Sequence, residues 1–323
     1  MQRRDFIAIA TGAATSAALP LCAQSNYPSR VVRLIVPYAP GGFPDTVARI
    51  YARHLGERLS QGVVIDNKPG ANGVLAAQAL AAAPADGYTL LVTDGSMFSI
   101  NPLIYKQLSY DRNKDFMPVA MLARAPLFLA INPRLPANSF AEFVALVKAK
   151  PGAYSYGSSG IGSTHHLCTE ALKHALGLDI RHIPFKGTSL SIPALVGGQI
   201  DAVFSALPSL AGFVKGNQVR LLAVNTAQRY SQAPQLPAIA ETVPGFDFAP
   251  TLGMLASTGT PVDRINRMAA EVAQVAKLAE LINTMNAAGV EAVGAGPAEY
   301  AKALQSENER MVSAVKIADL KLE

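Results

Sequence analysis

The sequence predicts an α/β protein of two lobes joined by two crossing segments, arranged as a hinged clamshell. The chain has 323 residues, half of them hydrophobic, so it can bury either one large core or two medium ones. Apolar strand-like runs alternate with helical patterns, which is typical of parallel βαβ units. This alternation is interrupted once and then begins again, and the restart favours two lobes.

The first series of elements predicts a parallel sheet with right-handed crossovers, because single helices separate its strands. The strands are expected at residues 31–38, 62–69 and 88–94, and the helices at 45–59 and 73–83. A long β-rich run, residues 116–132, follows and is interrupted by Arg124-Ala125-Pro126. We expect this run to carry the chain into the second lobe.

The second series repeats the alternation and then returns to the first lobe. Its strands are expected at 153–159, 179–185, 200–206 and 219–226, and its helices at 140–151, 163–177 and 189–198. A proline-rich segment, 229–257, crosses back, and two helices follow at 260–289 and 296–319, with Thr260 as the first cap. Lobe 1 is therefore assigned to residues 26–125 with 228–323, and lobe 2 to residues 126–227.

The N-terminus predicts export. Residues 1–25 contain Arg3 and Arg4, then an apolar and small-residue stretch, then Ala23-Gln24-Ser25 as a cleavage pattern. The arginine pair resembles a twin-arginine signal, although Gln2 stands where Ser or Thr is usual. No window offers 18 uninterrupted apolar residues, so a spanning helix is not expected. We expect a periplasmic protein whose signal peptide is cleaved near Ser25.

Composition argues against several classes of partner. The formal net charge is +5, only 16% of residues are charged, and no run of Lys or Arg forms a nucleic-acid-binding stripe. Trp is absent and aromatic residues make up 7% of the chain, which disfavours a stacking platform for single strands. Once the signal is removed, Cys168 is the only cysteine, so no internal disulfide is expected and Cys168 is interpreted as buried.

Two glycine turns predict an anion site. Pro40-Gly41-Gly42 ends the first strand and leads into a helix, so backbone N–H groups converge there and no Cβ blocks a ligand. Asp45 lies near the helix start, where it either contacts ligand or simply completes the N-terminal turn. In the second lobe "YGSSGIGSTHH", residues 156–166, has the same arrangement. Two such turns facing each other would hold both ends of a small anion.

Neither turn matches a nucleotide-binding or catalytic motif. The G-x-x-x-x-G-K-[ST] pattern is absent, and Gly157, Gly160 and Gly162 have the reverse of the dinucleotide spacing, so no cofactor is predicted. Ile161 replaces the last glycine of a G-x-S-x-G elbow.

The two adjacent histidines of the second turn do not predict a metal site. His165 and His166 point about 100° apart on a helix and cannot chelate one metal as an i, i+4 pair does. We expect one to line the cleft or cap the helix and the other to lie on the surface. The alternatives to a binding protein are a secreted hydrolase, using Ser158 or Ser163 with a His and Asp201, and a ligand sensor for a membrane signalling partner.

Several segments, taken together, resemble one family. "RLIVPYAPGGFPDTVAR", "IDNKPGANGVLAAQALAAAPADGYTLL", "YSYGSSGIGSTHHL", "HIPFKGTSLSIPALVGGQIDAVF" and "VRLLAVNTAQRYSQAPQLPAIAE" occur in this order. They are similar to the Bug-type extracytoplasmic solute receptors of tripartite tricarboxylate transport systems. The resemblance implies a type II periplasmic binding-protein fold and a monomer that performs no chemistry. It also implies capture of a small organic carboxylate and its delivery to the permease subunits of the transporter.

The resemblance also implies a set of ligand contacts from both lobes, made largely by backbone amides. Lys186-Gly187 matches the family's "YKG" turn with Phe185 in place of Tyr, so a phenolic contact is lost there. Phe43 and Phe204 would form an apolar wall or would pack in the interior. The implied contacts are Ala39, Gly41, Gly42, Phe43, Asp45, Asn67, Gly70, Gly73, Ser96, Ser158, Ser163, Thr164, His165, Lys186, Gly187, Asp201 and Phe204.

Overall fold

Two mixed β-sheets with helices packed on them organise the chain. The computed structural model describes residues 27–38, 40–41, 43–70, 73–185 and 187–319. The predicted export signal, residues 1–25, lies outside these described residues. In the part of the chain that is described, no helix is both long enough and apolar enough to cross a membrane.

The first sheet has six strands in the order β11-β4-β10-β3-β1-β2. The neighbours β1, β2 and β3 are parallel, whereas β10, β4 and β11 pair antiparallel. The parallel pairing expected for the three strands of the first series is therefore confirmed, and the antiparallel strands β4, β10 and β11 extend the same sheet. Its strands are β1 (Val32–Val36), β2 (Val63–Asn67), β3 (Thr89–Asp94), β4 (Phe116–Arg124), β10 (Thr251–Ser257) and β11 (Glu291–Ala295).

The second sheet has five strands in the order β7-β6-β8-β5-β9. Strands β6, β7 and β8 are parallel, and β5 runs antiparallel to both β8 and β9. Its strands are β5 (Leu127–Ile131), β6 (Ser155–Ser158), β7 (Arg181–Pro184), β8 (Ala202–Ala206) and β9 (Arg220–Val224).

The helices bury one face against these sheets. Helix α9 is the clearest case, since Ile265, Met268, Val272 and Val275 are buried at helical spacing. The helices are α1 (Phe43–Leu59), α2 (Val74–Ala81), α3 (Ser96–Ser99), α4 (Asn101–Ile104), α5 (Phe140–Ala149), α6 (Thr164–Leu176), α7 (Thr188–Val196), α8 (Leu207–Lys215), α9 (Val262–Val275), α10 (Ala279–Ala287) and α11 (Pro297–Ile317).

Two elements near the C-terminus differ from the sequence-based expectation. The end of the proline-rich segment forms β10, a fully buried strand between β3 and β4. Its run of buried residues has no polar alternation, which is why periodicity did not reveal it. The single helix expected at 260–289 is two helices that break between Ala276 and Leu278, and Pro261 rather than Thr260 occupies the cap position.

Two chain crossings connect the sheets, and they are paired with each other. The Ala125 N–H donates to the Pro250 carbonyl at 3.0 Å, and the buried Asn225 exchanges hydrogen bonds with Leu127 through its backbone and side chain. Since Arg124 pairs with Thr251 at the end of β3, the crossings leave the first sheet at the edge where its parallel strands end. They enter the second sheet beside Ala206, where β8 ends. The carboxyl edges of the two sheets therefore meet across this hinge.

Helix α11 belongs to both halves of the molecule. Tyr300 and Leu304 pack in a core with the first sheet, whereas Met311 and Ala314 pack in a core with the second. The segment after the second sheet behaves similarly, because Phe246 and Phe248 join the second core although we assigned them to lobe 1. The residue limits of the two lobes remain a prediction.

Candidate ligand cleft

The first wall of the cleft is the edge where β1, β2 and β3 end. Val36 pairs with Asn67, so the turns after these two strands leave the sheet side by side. Gly95 follows β3 at the same edge and donates to the Thr251 carbonyl at 3.2 Å. In parallel α/β sheets, ligands bind outside the carboxyl ends of the strands, where helix N-termini converge.

Asp45 organises this wall from inside. Its side chain is 1% exposed, and it accepts hydrogen bonds from Gly41 N (2.8 Å), Arg49 Nε (2.9 Å) and Asn67 Nδ2 (2.8 Å). Burial raises the pKa of this carboxyl, but the hydrogen bonds from Arg49, Gly41 and Asn67 outweigh it and hold the pKa below its ordinary value. Asp45 therefore holds the glycine turn through Oδ2 and the turn after β2 through Oδ1.

Asn67 joins the first two turns. Its Nδ2 donates to the Tyr38 carbonyl at 3.0 Å as well as to Asp45, and its Oδ1 accepts from Arg49 at 3.1 Å. The Tyr38 hydroxyl donates in turn to Asp94 at the end of β3 (2.7 Å). All three strand ends are thus tied by side-chain hydrogen bonds, which gives the wall a defined shape before any ligand arrives.

The glycines of this wall have different roles. Gly41 has φ +83° and is exposed, and a Cβ there would meet no other atom, so the space above its backbone is open to a ligand. Gly70 (φ +137°) and Gly73 (φ +90°) would place a Cβ within 3 Å of Leu75 and Met97, respectively. These two glycines are required by packing within the turn. Phe43, the first residue of α1, is half-buried and packs against the first core beside Tyr38.

Some of the predicted contacts cannot be placed. Ala39, Gly42 and Lys186 lie outside the described residues. Ser96 begins α3 at the end of β3, but its side chain is outside the described part as well.

The second wall is the turn between β6 and α6, residues 158–163, which we call the β6–α6 loop. Ser163 caps α6: its Oγ accepts from His166 N at 3.3 Å and donates to the Gly160 carbonyl at 2.7 Å. Ser158, only 1% exposed, accepts from Gly160 N at 3.1 Å. The two predicted serines therefore shape the loop, and the amides at the start of α6 face outward from it.

Thr164 and His165 follow in the first turn of α6, and both keep partial exposure. The His165 Nδ1 lies 2.8 Å from Ser159 Oγ. Burial lowers the pKa of His165 to about 4, so its imidazole is neutral near pH 7. His165 therefore presents a polar, uncharged group at the start of α6, and its contact with a ligand stays a prediction.

The second histidine is not on the surface, and that expectation was wrong. His166 is 5% exposed and stacks on His182 of β7, with ring centroids 3.9 Å apart and planes inclined by 11°. The Tyr156 ring of β6 also stacks with His182, with the ring centroids 4.8 Å apart. Sequence reasoning missed His182, and the register that pairs it with Tyr156 was not available from the sequence.

Gly187 places a second helix start beside the β6–α6 loop. It precedes α7 with φ +116°, and Phe185 N donates to the Ser158 carbonyl at 3.2 Å. The N-termini of α6 and α7 are therefore neighbours at the same edge, as those of α1 and α2 are in the first wall.

Two of the predicted contacts lie away from the cleft. Phe204 is 1% exposed inside the second core, so it packs in the interior and forms no wall. Asp201 precedes β8 and accepts from the Ser155 N–H at 2.8 Å, where β6 begins. It therefore lies at the opposite edge of the second sheet from Ser158, roughly 10 Å away at about 3.3 Å per residue.

The arrangement also bears on the hydrolase alternative. Ser158 Oγ lies 2.7 Å from His182 Nε2, but this serine is buried and Asp201 is too distant to orient the imidazole. A nucleophile needs both access to substrate and a base held by a third group. Among the described residues, no group of three or more His, Cys, Asp or Glu side chains is placed to hold a metal ion.

Two α/β halves, a paired hinge and helix N-termini on both facing edges define a two-lobe solute receptor. The comparisons with known proteins agree, since a sequence profile described as "Tripartite tricarboxylate transporter family receptor" matches residues 47–320. The chain belongs to this family. The family is one of binding receptors, and this corrects the hydrolase alternative.

Individual relatives support the assignment. The chain is 35% identical to the protein BugT of Bordetella pertussis over 245 residues, which is 75% of each protein. It is 33% identical to Rpa4515 of R. palustris, solved with adipate, covering 92% of this chain and 100% of that one with a TM-score of 0.83. It is 28% identical to MatC from Rhodopseudomonas palustris, solved with bound malate, covering 90% and 100% with a TM-score of 0.77.

Proposed function

We propose that this protein is an extracytoplasmic receptor that captures a small organic carboxylate between its two lobes. The observation that carries the proposal is the pairing of two preformed walls. Each has glycine turns and helix N-termini at the carboxyl edge of parallel strands, and the hinge joins these edges. The adipate and malate held by two relatives in the same fold support this ligand class.

The electrostatics of the walls favour capture of an anion by N–H groups. Helix N-termini carry a partial positive charge and unpaired amides, which stabilise a carboxylate. The Asp45 carboxylate is paired with Arg49 and accepts hydrogen bonds from protein donors, so its oxygens do not face the ligand. The proposed contacts are the amides in the first turns of α1, α6 and α7, with His165 and Ser159 alongside, while Gly41, whose N–H donates to Asp45, leaves the space above the first turn open.

The proposal extends to location and partner. The arginine pair and cleavage pattern of residues 1–25, and the family description, support a periplasmic receptor that delivers its ligand to the permease subunits of a tripartite tricarboxylate transporter. Deleting the gene should abolish uptake of the ligand identified in vitro. Unchanged uptake would contradict delivery while leaving binding intact.

The binding step is tested by thermal-shift screening followed by calorimetry. The panel contains adipate, malate, aromatic monocarboxylates and, as controls, the neutral amide of each acid. A ligand at about 100 times its Kd raises the free energy of unfolding by about 2.7 kcal/mol, which is readily seen as a higher Tm. If no carboxylate raises Tm, or if the amides act equally well, the proposal is wrong.

A matched pair of variants locates the site. Ser163→Ala removes the cap of α6 beside the cleft, and Ser139→Ala removes the equivalent cap of α5, whose Oγ accepts from Glu142 N at 3.2 Å. Each should cost about 1 kcal/mol of stability. Only Ser163→Ala should also weaken carboxylate binding, because only that cap shapes the β6–α6 loop.

A further inference from the structure

The stack formed by the buried His166 and the half-buried His182 lies directly beneath the β6–α6 loop and holds it by two separate hydrogen bonds. The Gly162 N–H donates to His166 Nδ1 at 3.1 Å, and Ser158 Oγ lies 2.7 Å from His182 Nε2. The two rings are in face-to-face contact. Each end of the loop is therefore hydrogen-bonded to one imidazole of the stack.

The first of these hydrogen bonds requires a neutral ring. His166 Nδ1 accepts a hydrogen bond, so this nitrogen must carry a lone pair and the ring proton must reside on Nε2. Gly162 has φ +74°, a left-handed conformation, and its N–H is turned toward the buried ring. A proton on Nδ1 would place two donors against each other and break this contact.

The second requirement comes from the stacking itself. At a centroid distance of 3.9 Å, two imidazolium rings would repel strongly in a site with little water. The charged neighbours do not offset this repulsion. Glu170 lies on α6 near the stack, but its Oε1 already accepts from Lys173 Nζ at 2.7 Å and from the Tyr156 hydroxyl.

Of the other titratable groups around the stack, Tyr156 and Cys168 are neutral near pH 7, and Lys173 carries a positive charge. Tyr156 of β6 stacks with His182, and burial raises the pKa of Tyr156, so the phenol stays neutral. Cys168 of α6 is fully buried, and burial raises the pKa of its thiol. Lys173 lies over the Tyr156 ring at 5.6 Å, which further disfavours a cation in the stack.

We propose that His166 and His182 are positioning residues for the ligand, and that the β6–α6 loop keeps its binding shape only while both imidazoles are neutral. The ligand-binding part of this statement rests on the proposed function, whereas the coupling between the stack and the loop does not. Acidification then opens the second wall of the cleft and releases the ligand.

The ionisation behaviour supports this coupling. Burial, and next the neighbouring His166, lower the pKa of His182 to about 4, and burial also lowers the pKa of His166. The stack is therefore neutral near pH 7, and it takes up protons as the pH falls below 6.5. The loop should change over this range.

Nuclear magnetic resonance of the ¹⁵N-labelled, unliganded protein tests the coupling directly. Between pH 7.5 and 4 we expect the Gly162 amide resonance to move together with protonation of the His166 ring. In His166→Asn the stacked neighbour that opposes protonation of His182 is lost, so His182 should titrate at a higher pH than in the wild type. The proposal is overturned if His166 protonates while the Gly162 amide stays unchanged, or if His166→Asn leaves the titration of His182 where it was.

Conservative variants separate positioning from bulk. Asn places an oxygen near the position of Nδ1, and Gln places a polar group near Nε2, so His166→Asn should retain the Gly162 contact without its pH dependence. His166→Leu fills similar space without an acceptor and should disturb the loop at every pH. His174→Asn is the matched control, because it removes an exposed histidine from the same helix. A pH dependence that is the same in His166→Asn as in the wild type contradicts the proposal.

The binding arm uses adipate and malate in calorimetry at pH 7 and pH 4.5. We expect affinity to fall at least tenfold in the wild type and to fall less in His166→Asn. A rise in affinity at pH 4.5 would show that an imidazolium attracts the ligand, and it would overturn the release mechanism. Failure of both acids to bind at pH 7 would instead count against the ligand class, and the resonance experiment would still decide the coupling.

Discussion

Arg124 and Asp247 join the two chain crossings at the hinge. The Arg124 NH2 nitrogen lies 2.8 Å from Asp247 Oδ1 and 2.9 Å from Oδ2, and both side chains are largely buried. Arg124 ends β4, and Asp247 precedes β10 in the returning segment. The pair therefore ties the outgoing chain to the incoming chain at the point about which the lobes would move.

The hinge pair predicts a measurable coupling. Both charged groups are partly buried, so removing one partner leaves the other poorly solvated. Asp247→Ala should therefore lower the free energy of unfolding by about 2 kcal/mol. In a double-mutant cycle with Arg124→Ala, urea unfolding should give a coupling of about 1 kcal/mol or more. The exposed pair Arg53 and Glu280 serves as control and should give less than about 0.5 kcal/mol. Equal couplings for both pairs would contradict this role.

Gly95 predicts a steric conflict with a buried carboxylate. A Cβ at this position would lie 2.1 Å from Glu307 Oε1, and Glu307 is 1% exposed within the molecule. Gly95→Ala should therefore destabilise the protein by about 2 kcal/mol, as overpacking does. Gly95→Ala combined with Glu307→Ala should lose less stability than the sum of the two single changes. Additive losses in urea unfolding would show that the two residues do not meet.

Glu307 also predicts a pH dependence of stability. Burial raises its pKa to about 7, while Thr251 Oγ1 donates to its Oε2 at 2.6 Å. Since the folded pKa lies above the unfolded value of 4.5, the folded state binds more protons between these values. The stability that Glu307 contributes is fully present below pH 4.5. It is lost as the pH rises toward 7, which lowers the free energy of unfolding by about 3 kcal/mol in total.

The variant Glu307→Gln isolates this effect from the other titrating groups. Relative to wild type, its stability should improve steadily as the pH rises from 4.5 to 7. His165, His166 and His182 act in the opposite sense, because their lowered folded pKa values remove stability as pH falls below 6.5. A difference between wild type and Glu307→Gln that does not change with pH would refute the assignment to Glu307.

Asp45 predicts that the first wall collapses without its carboxylate. Asp45→Ala leaves Gly41, Asn67 and Arg49 without their shared acceptor, so we expect a loss of about 2–3 kcal/mol and weaker carboxylate binding. The control is Asp111→Ala in an exposed loop, which should leave binding unchanged. Tighter binding in Asp45→Ala would indicate that Asp45 repels the ligand rather than shaping the wall.

Much of the fold could be predicted from the sequence, because local residue patterns indicate most of its helices and strands. Helix α1 and strand β1 appeared within a few residues of their predicted limits, and Ser163 caps α6 where the Ser-Thr step predicted a helix start. Strand β10 was not predicted from the sequence, because a strand buried on both faces has no apolar–polar alternation to detect.

The site was harder to predict because it depends on register and strand direction. Asp201 immediately precedes β8 and so lies at the amino edge of the second sheet, a conclusion that the carboxyl-end rule would have allowed from the sequence. To identify His182 as part of the site, one had to know that β7 pairs with β6 and that His182 lies opposite Tyr156. No local pattern contains that information, so the stack beneath the β6–α6 loop became visible only in three dimensions.

The central claim is that backbone amides on two facing walls hold a carboxylate, and amide chemical shifts test it most directly. Titrating the labelled protein at pH 7 with each acid of the panel should move the amide resonances of Gly41, Thr164 and Gly187 together, in one saturable process. The neutral amides should leave them in place. The account is contradicted if no acid moves these resonances, or if the acid that binds perturbs only residues away from both walls.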